Sequence, residues 1–314
     1  MKINVCLATD ENYLNYMATT IVSILSNAGK EDTFSFYILC NDISDKSKDY
    51  IRALKKFKDF DINFIDMNIS DFESFPAGGP HISNTTYYRY KIADICKDID
   101  KIIYLDCDII VKTSLKELFE EDLSEYYLGG VEDIGYYYWK NYNPDFIYKE
   151  GFYINAGMLL INLNAWRDNN IGEKLMDFTT KHHDELAIGD QDVINQVCFG
   201  KIKPLSYKWN VQDSFYREKP EREFNPNCNE IIKAAENPAV IHYTNKSKPW
   251  NNTNMPKALD WLYFDCTRTG GWDKYIKEYF YHVIVQNIFS IKNVGDSKVI
   301  SVLWFKIKLK RKRK

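Results

Sequence analysis

Short apolar runs alternate with amphipathic segments over the first 66 residues of the chain, and this alternation constrains the fold more than any other feature. Runs rich in Ile, Val and Phe at residues 3–8, 34–39 and 62–65 predict three buried strands. Apolar residues at helical spacing predict a helix over residues 14–28, and Ser44 is a candidate N-cap of a second helix. Strands separated by helices favour an α/β fold with a mainly parallel sheet, an architecture typical of nucleotide-binding proteins.

A helix is expected around residues 87–96, and a fourth apolar run, residues 102–105, predicts a central strand that ends at Asp106. The polar, Pro-containing residues 217–229 predict a loop. Ligands of such sheets bind outside the carboxyl ends of the strands. On extended backbone the side chains of Asp106 and Asp108 point to the same face, so both carboxylates can converge on one cation while Cys107 points away. Loops rich in Asp supply this pattern by chance, and it gains weight here from its position at a strand end.

Two further residues are candidates for the same site. His242 follows the apolar run 239–241 and would also stand at a strand end, although a lone His is more often a hydrogen-bonded structural residue. Carboxylates with one imidazole suit Mg²⁺ or Mn²⁺, which share their coordination with substrate phosphates. Lys248 offers a cation to a departing diphosphate, with a solvated Lys as the alternative. The sequence has no G-x-G-x-x-G or P-loop motif, so metal and lysine would have to neutralise the diphosphate.

Polar residues also follow the first predicted strand, at the place where a nucleotide base and ribose usually lie. Asp10 and Asn12 offer hydrogen-bond partners to a base or ribose, and Tyr13 offers a stacking face. The polar side chains could equally cap the helix that follows. The sequence leaves both roles open.

Charge is unevenly distributed along the chain. Residues 306–314 hold seven of the 41 basic side chains, and without them 34 basic residues face 44 acidic ones, a net charge of −10. An acidic body argues against nucleic-acid binding, which needs basic residues on the folded surface. Apolar and aromatic residues at 299–305 beside the polybasic end suit the anionic inner face of a membrane, so we expect peripheral membrane attachment. A disordered solubilising tail is the alternative.

The cysteines and the N-terminus bear on the compartment. The seven cysteines include no C-x-x-C pair and predict a reducing environment. The N-terminus lacks the apolar core and cleavage site of a signal peptide, and no segment reaches the roughly 20 apolar residues that span a bilayer. We therefore expect a cytoplasmic protein that associates peripherally with the inner face of the cell membrane.

Seven motifs follow one another along the chain. They are L-A-T-D-E-N-Y (7–13), F-I-D (64–66), H-I-S-N-T-T-Y-Y-R (81–89), Y-L-D-C-D (104–108), Y-I-N-A-G-M-L-L-I-N-L (153–163), G-D-Q-D (189–192) and H-Y-T-N-K-S-K-P-W (242–250). In this order they resemble glycosyltransferase family 8, which includes glycogenin and the bacterial lipopolysaccharide galactosyl- and glucosyltransferases. The resemblance covers residues 1–265 and looks closest to the lipopolysaccharide α-galactosyltransferase branch.

The resemblance implies a GT-A catalytic domain over residues 1–265, with a Rossmann-like α/β fold whose mixed, mainly parallel sheet is flanked by helices. We expect residues 266–314 to form a helical extension that ends in the amphipathic, polybasic tail. The resemblance also implies a retaining transferase that uses Mn²⁺ or Mg²⁺. Such an enzyme would move a hexose, galactose or glucose, from a UDP-sugar to a saccharide or lipid-linked glycan acceptor.

The family's site residues carry over position by position. The metal ligands would be Asp106, Asp108 and His242. The residues that would bind the donor are Ala8, Asp10, Asn12 and Tyr13 at the uridine, Lys248 at the diphosphate, and Arg89, Asn155, Ala156, Asp190 and Gln191 at the sugar, together with Cys107 and Asn245. Asn245 stands where relatives commonly have Gly, and Asn tolerates left-handed backbone better than most residues.

Gln191 and Asp190 are the candidate catalytic residues. Retention normally suggests a nucleophile on the enzyme, as in retaining glycosidases, and this could be the Asp190 carboxylate or the Gln191 amide oxygen. Attack of the acceptor hydroxyl on the face that the phosphate leaves is the alternative. We therefore assign the pair positioning and cation-stabilising roles.

Other functions compete with sugar transfer. A UDP-sugar-binding protein without transfer activity is one alternative. The presence of every residue that matches the family's metal ligands and sugar pocket argues against it. A glycogenin-like primer that glucosylates itself is suggested by the consecutive Tyr136, Tyr137 and Tyr138. A metal phosphohydrolase would need a second cluster of metal ligands, and the sequence offers none.

Overall fold

The computed structural model describes residues 1–76, 84–135, 152–216, 225–244, 248–250, 258–270, 289–294, 297–302 and 305–310. The chain divides into two units, Met1–Thr244 and Asn245–Lys314, which are described separately. Within the described ranges the strands are β1 (Lys2–Thr9), β2 (Thr33–Cys40), β3 (Phe60–Asp66), β4 (Lys101–Leu105), β5 (Ile109–Val111), β6 (Leu128–Glu132), β7 (Ile154–Asn162), β8 (Ile202–Pro204), β9 (Val211–Gln212), β10 (Val240–His242), β11 (Phe289–Val294), β12 (Ser297–Val302) and β13 (Phe305–Lys310). The α-helices are α1 (Leu14–Ser26), α2 (Asp45–Arg52), α3 (Ile92–Ile95), α4 (Lys116–Phe119), α5 (Leu163–Asp168), α6 (Ile171–His182), α7 (Asp190–Val197), α8 (Cys228–Glu236) and α9 (Ala258–Gly270).

A seven-stranded sheet forms the centre of the first unit, in the order β3-β2-β1-β4-β7-β6-β8. The strands β3, β2, β1 and β4 are parallel to one another, β7 runs antiparallel to both of its neighbours, and β6 and β8 are parallel. The middle strand is β4, whose carboxyl end carries the two aspartates. The predicted mixed, mainly parallel sheet is confirmed.

The predicted crossover helices are also present in this unit. Helix α1 links β1 to β2, and helix α2 links β2 towards β3. The Ser44 hydroxyl accepts a hydrogen bond of 3.2 Å from the backbone N–H of Ser47 and caps α2, as predicted. Large aromatic side chains fill the core beside the sheet, among them Trp166, Tyr87, Tyr90 and Tyr104. Part of the high tyrosine content therefore serves packing.

A second sheet has three short strands in the order β5-β10-β9. Only three residues separate the end of β4 from the start of β5, and they are Asp106, Cys107 and Asp108. Strand β10 runs antiparallel to β5, with His242 opposite Ile109. This pairing places the end of β10 beside the turn that carries the two aspartates.

Side chains of α1 hold the start of β5. The hydroxyl of Thr20 lies 3.0 Å from the carbonyl oxygen of Cys107 and 2.9 Å from that of Ile109. The hydroxyl of Ser23 accepts a hydrogen bond of 2.9 Å from the backbone N–H of Val111. Both side chains are fully buried, so these hydroxyls supply partners to backbone groups that water does not reach.

Two elements of the first unit differ from their predictions. A helix is predicted around residues 87–96, but the structure has a 3₁₀-helix at Asn84–Lys91 followed by the single turn of α3. Residues 85–90 are mostly Thr and Tyr, which have modest helix propensity, and the tyrosines there are buried by tertiary packing. A loop is predicted over 217–229, but α8 already begins at Cys228. Residues 217–224 lie outside the described part of the chain.

The described part of the second unit contains α9 and a three-stranded antiparallel sheet in the order β11-β12-β13. The predicted helical extension is wrong over these strands. Apolar and polar residues alternate strictly in F-K-I-K-L-K (305–310), and a period of two is typical of a strand. The boundary at residue 265, which falls inside α9, stays a prediction. Among the described helices, none combines the length and apolar character needed to cross a membrane.

Candidate active site

Asp106, Asp108 and His242 come together at the carboxyl end of β4. His242 Nε2 lies 3.1 Å from Asp108 Oδ1 and 3.8 Å from Asp106 Oδ2, and one ligand atom of each residue lies within 4.8 Å of the others. The Asp106 side chain is 30 % exposed, so the cluster is open to solvent on one side. Two carboxylates and one imidazole at this spacing fit a divalent cation such as Mn²⁺ or Mg²⁺.

The backbone at the two aspartates differs from the predicted extended form. Cys107 and Asp108 lie in a turn between β4 and β5. The buried Cys107 thiol donates a hydrogen bond of 3.1 Å to the carbonyl of Ala8, and burial raises the pKa of this thiol well above its usual range. The carboxylates converge nonetheless, because the turn leads into β5, and the pairing of β5 with β10 places His242 next to the turn.

Gly157 of β7 is packed closely against this cluster. A Cβ atom on Gly157 would sit 2.8 Å from both Asp106 Oδ2 and His242 Nδ1, and would overlap His242 Cε1. The backbone of Gly157 is fixed on both sides: its carbonyl accepts a hydrogen bond of 2.8 Å from the N–H of Asp106, and its N–H donates to Asn155 Oδ1. Glycine at this position therefore lets the imidazole and the carboxylate approach the strand.

Arg89 connects the cluster to a second group of polar residues. Its guanidinium lies 3.0 Å from Asp106 Oδ1 and 3.0 Å from Asp190 Oδ2, and it stacks 4.1 Å above the ring of Tyr104. Burial works to lower the pKa of Arg89, but Asp190, Tyr104 and Asp106 outweigh it, and the pKa lies above its ordinary value. A permanent positive charge thus lies between two carboxylates.

Asp190 is the first residue of α7. Its Oδ1 accepts a hydrogen bond of 2.8 Å from the hydroxyl of Thr86, and its side chain is 8 % exposed. Burial raises the pKa of Asp190 to about 6, although Arg89 and Thr86 both lower it. This carboxyl therefore changes charge just below neutral pH.

Gln191 uses all four of its side-chain hydrogen-bond positions. Its amide oxygen accepts from the N–H of Ala156 at 3.1 Å and from Asn155 Nδ2 at 3.2 Å. Its amide nitrogen donates to Asp133 Oδ2 at 3.0 Å and to the hydroxyl of Tyr153 at 3.2 Å. An amide oxygen with two donors already bound is a poor nucleophile, so the geometry favours a positioning role for Gln191.

The residues after β1 lie at the same edge of the sheet, beside the turn at Cys107. Asp10 Oδ1 accepts a hydrogen bond of 2.9 Å from the N–H of Tyr13, so one of its oxygens caps this turn. Asn12 is exposed, and the ring of Tyr13 meets that of Tyr16 edge-on at 5.1 Å. Ala8 is buried and accepts the Cys107 thiol. Uridine binding by these residues stays a prediction.

Three predicted features do not fall within the described first unit. Lys248 belongs to the second unit and is partly buried there. Asn245 lies outside the described residues, and so do the tyrosines at 136–138. Their assigned roles stay predictions.

Comparison with known proteins identifies the family. A model of glycosyl transferase family 8 matches residues 4–254. The chain belongs to glycosyl transferase family 8. This finding confirms the resemblance of the seven motifs, and it makes the protein a glycosyltransferase.

Individual relatives of this family 8 glycosyltransferase match it over most of its length. Glycosyltransferase GlyF of Streptococcus pneumoniae is 28 % identical over 307 residues, which cover 97 % of this chain and 70 % of GlyF. General stress protein A of Bacillus subtilis is 28 % identical over 267 residues, covering 83 % of this chain and 92 % of that protein. A crystal structure of the galactosyltransferase LgtC in complex with donor and acceptor sugar analogues superposes with a TM-score of 0.76 at 30 % identity, covering 86 % of this chain and 95 % of LgtC. The likeness to LgtC confirms the GT-A fold.

Sequence reasoning missed several residues that build the site of this family 8 glycosyltransferase. Gly157 stands in a buried strand between large apolar residues, and a glycine there signals close backbone approach. Asp133 follows directly after β6, which is parallel to β4 and ends at the same edge of the sheet. Its position at a strand end is the signal that would have identified Asp133 as a site residue. Asn210, which accepts a hydrogen bond from His242, follows no recognisable motif.

Proposed function

We propose that this glycosyltransferase transfers a hexose, galactose or glucose, from a UDP-sugar to a hydroxyl of a saccharide acceptor, with retention of anomeric configuration and with bound Mn²⁺ or Mg²⁺. The observation that carries the proposal is the cluster of Asp106, Asp108 and His242 at the end of the central strand. Hard oxygen ligands with one imidazole suit a cation that shares its coordination with phosphate. LgtC, which has the same fold, is a galactosyltransferase crystallised with sugar analogues.

The cation, when bound, supplies Lewis-acid stabilisation of the negative charge on the leaving UDP. This chain's own residues would hold it: Asp106 and Asp108 through their carboxylates, and His242 through Nε2. Asp106 is also held by Arg89 and by the hydroxyl of Tyr104, both 3.0 Å from Oδ1, which leaves Oδ2 on the side of His242. The ligand geometry is therefore set by the protein before substrate binds.

The neighbouring polar group supports the handling of positive charge on the sugar. The Gln191 amide donates to Asp133, and Asp190 is joined to this pair through Arg89 and the backbone of Ala156. Carboxylates near the reacting carbon stabilise the cationic character that develops as the bond to phosphate breaks. The Gln191 oxygen already accepts two hydrogen bonds, and the two Asp190 oxygens face Thr86 and Arg89. These contacts favour attack by the acceptor hydroxyl on the face that the phosphate leaves.

The decisive experiment measures UDP release from UDP-galactose, UDP-glucose and UDP-N-acetylglucosamine by the purified protein, before and after EDTA treatment and after Mn²⁺ is restored. We expect turnover of at least one UDP-hexose, its loss with EDTA and its return with Mn²⁺. Asp106→Asn should abolish turnover. The matched control is Asp61→Asn, which removes an exposed carboxylate paired with Lys2 at the opposite edge of the sheet and should leave turnover unchanged. EDTA-resistant turnover, or an active Asp106→Asn protein, would contradict the metal site.

We further propose that the acceptor is a cell-surface or lipid-linked glycan and that the basic C-terminal tail attaches the enzyme to an anionic membrane. Support comes from the seven basic residues at 306–314, each of which is worth about 1 kcal/mol near such a surface. Co-sedimentation with vesicles containing an anionic lipid should fall when Lys306, Lys308 and Lys310 are replaced by Gln, and it should fall in wild type as salt rises. Equal binding to neutral vesicles would argue against this proposal.

A further inference from the structure

A continuous chain of side-chain hydrogen bonds runs from His242 into the polar cluster around Gln191. His242 Nδ1 lies 3.1 Å from Asn210 Oδ1, and Asn210 Nδ2 lies 2.9 Å from Asn155 Oδ1. Asn155 Nδ2 in turn lies 3.2 Å from Gln191 Oε1. All four side chains are at least nine-tenths buried, and Asn210 is fully buried. We call these four residues the amide relay.

Two backbone groups fix the direction of every bond in the amide relay. The N–H of Gly157 can only donate, and it lies 3.1 Å from Asn155 Oδ1, so that atom is the amide oxygen. The N–H of Ala156 fixes Gln191 Oε1 as an oxygen in the same way. Because Asn155 Oδ1 is an acceptor, Asn210 must turn its NH₂ group towards it and its own oxygen towards His242.

The orientation of Asn210 decides the protonation of the imidazole. An amide oxygen can only accept, so His242 Nδ1 must carry a proton and donate it to Asn210. Nε2 is then the nitrogen that faces Asp108 and Asp106, where a cation would take its lone pair. The Nδ1 proton thus stays on the side of the ring away from the position that a cation would take.

The far end of the amide relay reinforces this direction. The Gln191 amide nitrogen donates to Asp133 Oδ2 at 3.0 Å and to the hydroxyl of Tyr153 at 3.2 Å, and that hydroxyl donates to Asp192 Oδ1 at 2.6 Å. Every donor from His242 onwards points the same way and the chain ends on carboxylates. Hydrogen bonds aligned in this manner polarise one another, which increases electron density on the imidazole.

We propose that Asn210 is a positioning residue that keeps a proton on His242 Nδ1 and so directs Nε2 towards the cation position beside Asp106 and Asp108. The proposal rests on the metal site of the proposed function only for its consequence, because the hydrogen bond between His242 Nδ1 and Asn210 needs no metal. Outer hydrogen bonds of this type typically change metal affinity by about 10- to 100-fold when they are removed.

The test uses the full-length protein labelled with ¹⁵N-histidine. The ¹⁵N shifts of His242 at pH 8 without metal report which ring nitrogen is protonated, and the signal is assigned with His242→Gln. Wild type should show a protonated Nδ1. Asn210→Leu, which is similar in size but lacks the acceptor, should shift His242 towards the Nε2–H form and weaken Mn²⁺ binding, measured by electron paramagnetic resonance of free Mn²⁺, by about 10- to 100-fold. Asn210→Asp keeps an oxygen for Nδ1 and should retain the wild-type tautomer.

The control is Asn4→Leu, which removes a buried Asn whose amide donates to the Lys101 carbonyl and should alter neither the His242 signal nor Mn²⁺ affinity. An unprotonated Nδ1 in wild type overturns the proposal even if no Asn210 variant folds. An Asn210→Leu protein with wild-type tautomer and affinity overturns it as well. If wild type shows protonated Nδ1 but binds no Mn²⁺, the proposed function fails while the assignment of the tautomer stands.

Discussion

Replacing Gly157 by Ala tests how tightly the metal ligands are packed against β7. The new Cβ would lie under 3.0 Å from His242 Cε1, His242 Nδ1 and Asp106 Oδ2, closer than real Cβ atoms come to such neighbours. Normal contact is about 3.5–4.0 Å, so the ring must retreat by about 1–2 Å. The strand cannot move instead, because Gly157 is hydrogen-bonded to Asp106 N and to Asn155 Oδ1.

A shift of this size has two measurable consequences. Misplacement of a reacting group by 1 Å can cost on the order of 100-fold in rate, and we expect a loss of this order in Mn²⁺-dependent UDP-sugar turnover, together with weaker Mn²⁺ binding. Overpacking should also lower the free energy of unfolding by about 1–3 kcal/mol in urea titrations of the metal-free protein. Gly130→Ala is the matched control, since its Cβ would lie 2.5 Å from the Ile154 side chain on the same sheet without touching a metal ligand. Gly157→Ala with wild-type Mn²⁺ affinity and turnover would refute the reasoning.

Three further outcomes follow from buried polar groups. Because the folded pKa of Asp190 is raised to about 6, its proton stabilises the fold fully below the unfolded pKa, and this contribution is lost as pH rises through 6. The free energy of unfolding of Asp190→Asn, measured in urea relative to wild type, should therefore increase between pH 4 and pH 7; a constant difference would contradict the shift. Thr20→Val removes the hydroxyl between the carbonyls of Cys107 and Ile109 and should cost about 1–3 kcal/mol in the same assay, whereas Thr180→Val, which removes an exposed hydroxyl that donates to the Met176 carbonyl of its own helix, should cost less. Native thiol labelling should modify only Cys228 and Cys266, because the other five cysteines are buried; rapid labelling of a third would contradict the burial.

The parallel strands and the clustering of Asp106, Asp108 and His242 could be predicted from sequence because their signals are local. Apolar runs and helical spacing gave the parallel strands, and the position of Asp106 directly after an apolar run placed it at the sheet edge. His242 was found for the same reason, at the end of its own apolar run. Each of these predictions depends only on residues that are neighbours in the sequence.

The remaining parts of the site depend on contacts between distant segments. Nothing next to Asn210 in sequence indicates a partner of His242, and the close approach of Gly157 to the imidazole appears only when β7 lies beside β4. The 3₁₀-helix at Asn84–Lys91 is likewise fixed by tertiary packing of its tyrosines rather than by local propensity. Alternation at 305–310 is a local signal for a strand, and it contradicts the helical extension expected there.

The short pairing of β10 has a consequence for the way this fold comes apart. Strand β10 meets β5 over three residues and β9 over two, far fewer than the eight that join β1 and β2. Segments with so few backbone hydrogen bonds open at lower free energy than the centre of a sheet. A divalent ion bound to both His242 and the aspartates would close that edge and stabilise the first unit in proportion to the logarithm of the ion concentration. The concentration of the ion would then set the stability of this unit through the same residue that completes the site.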